Sequence, residues 1–275
     1  MSRIKVGVSL YSLQDQYLTK KMNLEDILHY VKECGAEGIE ILPDQMLKGS
    51  PDLTDEQVAD WNRMIGETGL QPVIADVFLN TNLYKNRTLT HRECIDLLIK
   101  EIKQANRLGI KLIRLVSMVP YWVIEPLLPY CQKYDVTTAI EVHAGMAFDV
   151  KATNDFINEV KRLNSPYAGI VIDTGIFCRK FPRVVKNYEL NNGASPEMFA
   201  YCDKLLEEGT DLHAEIRKNG GQLPADFVAT WKTHEDEIFG PLCDGYENYP
   251  YEVLDELMPY IKHFHFKMFE MTDEG

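Results

Sequence analysis

The chain has 275 residues, 45% of them hydrophobic, which suits one large α/β domain or two small ones. Its 42 acidic and 29 basic residues leave a formal charge of −13, which argues against nucleic acid as a partner because phosphate binding needs clustered Lys and Arg. Its six cysteines are widely spaced with no C-x-x-C pair, so reduced thiols in a cytoplasmic protein are expected rather than a disulfide framework.

The chain is expected to enter a strand at once, leaving no room for a signal peptide, and no apolar run approaches the length of a membrane span. Strand-like runs follow at 5–10, 38–42, 72–78, 111–116, 136–143, 169–173 and 263–267. Helices are expected between them. Thr54-Asp-Glu-Gln57 and Thr90-His-Arg-Glu93 read as capping boxes, and Gly35, Gly69 and Gly109 as helix stops before the next strand. Alternating strands and helices mean a parallel sheet, and seven such units favour a TIM (β/α) barrel over a doubly wound sheet. Val6-Gly-Val-Ser-Leu-Tyr11 stands where a dinucleotide fold would carry G-x-G-x-x-G.

Two departures from a plain barrel are expected. Asp173 and His263 lie 90 positions apart, far more than one crossover needs. Ser195-Pro-Glu and Pro224-Ala-Asp start helices there, so 176–250 reads as a helical insertion at the face where barrels place active sites. It is a candidate lid or docking surface. The second departure is the eighth strand, which has no counterpart before residue 275, so a single barrel domain over 1–275, C-terminally incomplete, is expected.

Three strand ends carry ligand-type residues: Ala-Ile-Glu141-Val-His143, Ile-Val-Ile-Asp173-Thr-Gly and His263-Phe-His265-Phe-Lys267. Side chains alternate across a strand, so Glu141 and His143 share a face, as do His263, His265 and Lys267, with Phe264 and Phe266 opposite. Oxygen and nitrogen donors converging from separate strands suit a divalent cation. Each has a plainer reading: Glu141 paired with an Arg, Asp173 in an Asx-turn, a histidine satisfied in the core. Arg114 and Glu40 end their strands as substrate contacts or as a structural ion pair. Arg179 is solvated unless the substrate is anionic. His29, His91, His213 and His234 read as surface or packing residues.

Glu on strand five, Asp-Thr-Gly on strand six and His-x-His on strand seven together resemble the xylose-isomerase-like barrel superfamily, which includes sugar isomerases, epimerases and endonuclease IV relatives. The resemblance implies that Glu141, Asp173 and His265 are three metal ligands, with a fourth on strand eight. Val6-Gly-Val-Ser-Leu-Tyr-Ser-Leu13, Glu141-Val-His143, the insertion and Lys262-His-Phe-His-Phe-Lys267 are most similar to the large subunits of bacterial C-glycoside deglycosidases. That subfamily implies a Mn²⁺-dependent lyase (Mg²⁺ or Co²⁺ being alternatives) assembled with a small β-subunit. Its substrates are 3-oxo-C-glycosides of flavonoids or other aromatic aglycones.

In such a reaction a base removes the proton next to the sugar carbonyl, and His143 is the first candidate because imidazole titrates near neutrality. Lys267 could neutralise developing negative charge or simply wall the site. A metal-dependent sugar isomerase or epimerase begins with the same step. A non-catalytic barrel serving as scaffold or sensor is the reading from another class, and an endonuclease fits poorly with the −13 charge.

Overall fold

All seven expected runs are strands in the computed structural model, which describes residues 5–116 and 119–267. They are β1 (Gly7–Ser9), β2 (Gly38–Ile41), β3 (Gln71–Val77), β4 (Leu112–Leu115), β5 (Thr137–Val142), β6 (Ala168–Asp173) and β7 (Ile261–His265). The strands follow chain order in one seven-stranded sheet, and the pairings from β1 to β5 are parallel. The eighth strand expected beyond residue 275 lies outside the described residues.

Between the strands run α1 (Gln14–Leu18), α2 (Leu24–Glu33), α3 (Pro43–Met46), α4 (Asp55–Thr68), α5 (His91–Arg107), α6 (Ile124–Tyr134) and α7 (Lys151–Leu163). Thr54 and Thr90 each close the expected capping box, with Gln57 for α4 and Glu93 for α5. Gly69 ends α4 in the left-handed conformation at φ 65°, which a residue with a Cβ adopts only with strain.

The chain forms two compact units, one of Met1–Glu141 with Asp155–Ile170 and one of Val142–Asn154 with Val171–Gly275. In the first, register fixes which residues share a face. Ile41 stands opposite Ala75, Ala75 opposite Ile113, and Leu115 opposite Val77 and Ile140. This face is apolar, and none of these six side chains is more than 4% exposed. Burying each large member contributes roughly 1.5–3 kcal/mol.

The register of β2 on β3 shifts once. Ile39 faces Pro72 but Glu40 faces Ile74, so Val73 is an extra residue. The bulge brings Val73 against Gly38, where a Cβ would lie 2.8 Å from Val73 Cγ2 and 2.9 Å from the Gln71 carbonyl oxygen. Only glycine fits there.

The second unit contains α8 (Arg183–Asn191), α9 (Pro196–Glu207), α10 (Leu212–Lys218), α11 (Ala225–Val228) and α12 (His234–Phe239). They enclose an apolar core that includes Met198, Phe199, Cys202, Phe227, Phe239 and Cys243. Ser195 precedes α9 as expected, but its hydroxyl donates to Asp236 at 2.5 Å rather than back into its own helix. All six cysteines are unbridged. No helix among the described residues is long and apolar enough to cross a membrane.

Candidate functional site

In the first unit the strands present a row of polar side chains at their C-terminal ends. Ser9 is the last residue of β1, and Glu40, Asp76, Arg114 and Glu141 are the penultimate residues of β2 to β5. Ser9 pairs with Glu40 and Asp76 with Arg114. Glu40 and Arg114 stand opposite Ile74 and Ala139, each two residues before Asp76 or Glu141, so all five point to one face.

The five are bound to one another. Ser9 donates to Glu40 Oε1 at 2.6 Å. Arg114 donates through Nε to Asp76 Oδ1 and through Nη1 to Glu141 Oε2, each at 2.5 Å, and its Nη2 lies 3.6 Å from Glu40 Oε1. Arg114 is therefore buried among three carboxylates. Burial pushes Asp76 well above the ordinary carboxylate range, opposed by its bond to Arg114 and reinforced by the charge of Glu40. Burial would lower Arg114, but Asp76, Glu141 and Glu40 outweigh it and hold the guanidinium firmly charged.

In the second unit Asp173 ends β6 and is 4% exposed. Its Oδ1 accepts the Gly175 N–H at 2.8 Å, an Asx-turn, and its Oδ2 lies 2.7 Å from Lys267 Nζ. Thr174 ties this turn to β7 by donating to the His265 carbonyl at 3.0 Å. The His263 and His265 rings lie 5.5 Å apart, and Phe264 and Phe266 stack at 6.0 Å, as the alternation predicts. Asp173 and His265 offer donor atoms within 4.8 Å of each other.

His143 lies one residue beyond β5, and its Nδ1 is 2.7 Å from the Ala144 carbonyl oxygen. A carbonyl only accepts, so Nδ1 carries the hydrogen and the neutral ring has its lone pair on Nε2. Arg179 is held by the segment from Asn248 to Tyr251. It donates to Asn248 Oδ1 and, at 3.0 Å, to the Tyr249 carbonyl, and it sits 4.5 Å over the Tyr251 ring.

Sequence reasoning passed over three groups. Asp76 is hidden in the run Val73-Ile-Ala-Asp-Val-Phe, where the bulge changes which residues share a face. Glu247 is 1% exposed and accepts the Gly145 N–H at 2.6 Å. His213, assigned to surface or packing, faces Glu247 at 3.8 Å and Asp149 and Asp244 at 3.9 Å each. The Asp244 carboxylate holds it above the usual imidazole range, against burial and with help from Glu247.

A family model described as the xylose isomerase-like TIM barrel matches residues 28–177, more than half of the chain. The chain belongs to that family. It is 27% identical, over 98% of its length and 76% of the relative's, to a C-glycoside deglycosidase alpha subunit of Arthrobacter globiformis. It is also 27% identical to the 3'-dehydrocarminate deglycosidase alpha subunit of a Microbacterium species, over 65% of this chain and 51% of that protein. A solved structure of the IOLI protein with a binding zinc atom shares 19% identity at a TM-score of 0.47, covering 62% of this chain and 63% of that one.

This xylose isomerase-like chain has a donor set that suits a hard divalent cation. Asp76, Glu141 and Glu40 gather around Arg114, and Lys267 already stands as a cation against Asp173. Carboxylate oxygens with one imidazole match Mn²⁺ or Mg²⁺ better than a thiolate-seeking ion.

Proposed function

We propose that this chain is the large subunit of a divalent-metal-dependent lyase that cleaves the sugar–aglycone carbon–carbon bond of 3-oxo-C-glycosides, working with a small β-subunit. The observation that carries this reading is the similarity to C-glycoside deglycosidase alpha subunits along 98% of the chain. Glu141, Asp173 and His265 would hold the metal, Mn²⁺ being the first choice. When bound, such an ion supplies Lewis-acid polarisation of a carbonyl.

The chain's own residues handle the proton. His143 Nε2 accepts the hydrogen from the carbon next to the ketone, with Nδ1 anchored on the Ala144 carbonyl. The electron pair moves onto the ketone oxygen, then returns to expel the aglycone carbon, which takes up a proton. Lys267 is a positive group two residues beyond β7 that can offset the developing negative charge, with Asp173 as its resting partner. Arg114 keeps Glu141 oriented. Arg179 orders the insertion.

Purified protein mixed with its small subunit, Mn²⁺ and a 3-oxo-C-glucoside should release free aglycone. Metal analysis should find stoichiometric Mn²⁺ that is lost in Glu141→Ala, Asp173→Ala and His265→Ala. Interconversion of free ketoses with the glycoside left intact would make the chain an isomerase or epimerase instead. A protein that takes up no metal in the presence of its partner would be a scaffold.

A further inference from the structure

The turn that carries His143 is gripped from 102 positions away. Residues 143–146 close on themselves through the Met146 N–H and the His143 carbonyl, 2.9 Å apart, with Gly145 at φ 79°. The peptide group joining Ala144 to Gly145 is used at both ends. Its carbonyl accepts Nδ1–H of His143 at 2.7 Å, and its N–H donates to Glu247 Oε1 at 2.6 Å. A planar trans peptide points these two groups in opposite directions, so the imidazole and the carboxylate sit on opposite sides of one rigid plate.

Glu247 is an expensive residue to place there. It is 1% exposed, and its Oε2 is buried without a hydrogen-bond partner among the described residues. Its main chain is nevertheless firmly fixed. The Glu247 carbonyl accepts the Cys178 N–H at 2.8 Å, Asn248 N–H donates to Asp211 at 2.8 Å, and Tyr249 N–H donates to the Ile176 carbonyl at 2.9 Å. The strap that bears Glu247 is thus sewn to the segment that follows Asp173.

We propose that Glu247 is a positioning residue for His143, acting through the Ala144–Gly145 peptide as a carboxylate–peptide–imidazole chain. This rests on His143 being the base. A negative charge on the N–H side polarises the peptide and makes its carbonyl a stronger acceptor. That holds the hydrogen on Nδ1, fixes the ring, and leaves Nε2 as the proton-accepting nitrogen. Without the carboxylate the plate is free to rotate, and rotation removes both hydrogen bonds at once.

The test uses the full chain, ¹⁵N-labelled at histidine and glycine, with Glu247→Ala and Glu247→Gln as variants. In the wild type the Gly145 amide should exchange slowly and His143 should show the Nδ1–H tautomer. Glu247→Ala should speed Gly145 exchange by about ten- to hundredfold, the scale of losing a hydrogen bond to a charged group, and should mix the tautomers. Glu247→Gln keeps an acceptor oxygen, so it should restore amide protection and part of the tautomer preference. With the small subunit, Mn²⁺ and a 3-oxo-C-glucoside, kcat should follow the same order while KM changes little. Unchanged Gly145 exchange and His143 tautomer in Glu247→Ala would overturn the proposal. If the NMR pattern appears but His143→Gln keeps normal turnover, the chain of bonds stands and the assignment of His143 as base is what fails.

Discussion

Arg114 is the residue on which the first unit's polar row depends, because it is the cation that Asp76, Glu141 and Glu40 share. Arg114→Met should destabilise the protein by roughly 3–5 kcal/mol, the cost of stranding buried charges. A urea series would show this deficit shrinking at acidic pH, as the stranded acids take up protons. Asp76 gives a complementary signature. Its folded pKa lies above its unfolded one, so the folded state holds the proton more tightly. The stability this contributes is present at low pH and is lost as pH rises through the folded value. Measured against Asp76→Asn, the metal-free wild type should therefore lose stability on going from acid to neutral. For the chemistry, His143→Gln should leave metal content nearly unchanged while turnover falls by roughly two to four orders of magnitude. His265→Ala should lose metal and turnover together. Glu141 and Asp173 were legible in the sequence because each is an acid at the end of a run of apolar residues. Glu247 was not, because it works through a main-chain N–H far away in the chain and leaves no periodic trace.

The helix starts divide in the same way between what is local and what is not. Thr54 and Thr90 declare themselves by a cap and its partner three residues on, and the structure closes both boxes. Thr90→Ala should cost about 1 kcal/mol. The joint between α9 and α12 could not be read, because Asp236 reaches 41 positions back to Ser195. Asp236 is fully buried and accepts the Ser195 N–H at 2.7 Å, the Ser195 hydroxyl at 2.5 Å, and the N–H groups of Lys232 at 2.7 Å and Thr233 at 3.0 Å. Burial alone would raise its pKa, but the bonds from Ser195, Lys232 and Thr233 prevail and hold it at about 2. The sign is opposite to that of Asp76. Asp236 stabilises above the ordinary aspartate value, and that contribution is lost as pH falls through about 2. Amide exchange in α9 and α12 should therefore accelerate in strong acid. Asp236→Ala should show the same acceleration at neutral pH, with a loss of roughly 1–3 kcal/mol for each donor left unsatisfied.

For the whole molecule, the alternation of strand and helix made the fold class legible, and every expected strand forms within two residues of its expected place. Composition carries no sign of a partner chain; the proposed small subunit rests on relatives that are named alpha subunits. Chemistry and assembly should be separable, so His143→Gln should still elute with the small subunit on size exclusion. One small irregularity governs more of this chain than its size suggests. Val73 is the one residue by which β3 outruns β2. Because it is surplus, deleting it would leave Ile74 opposite Glu40 and Asp76 on the polar face, whereas deleting Ala75 would turn the Asp76 carboxylate into the oily layer. Substitutions along these strands can retune the chemistry one position at a time, but a one-residue deletion in the regularly paired part of β3 would scramble the site and the core together. Gly38, which leaves the room Val73 needs, is thus what lets β3 absorb a residue of surplus length without losing its phase.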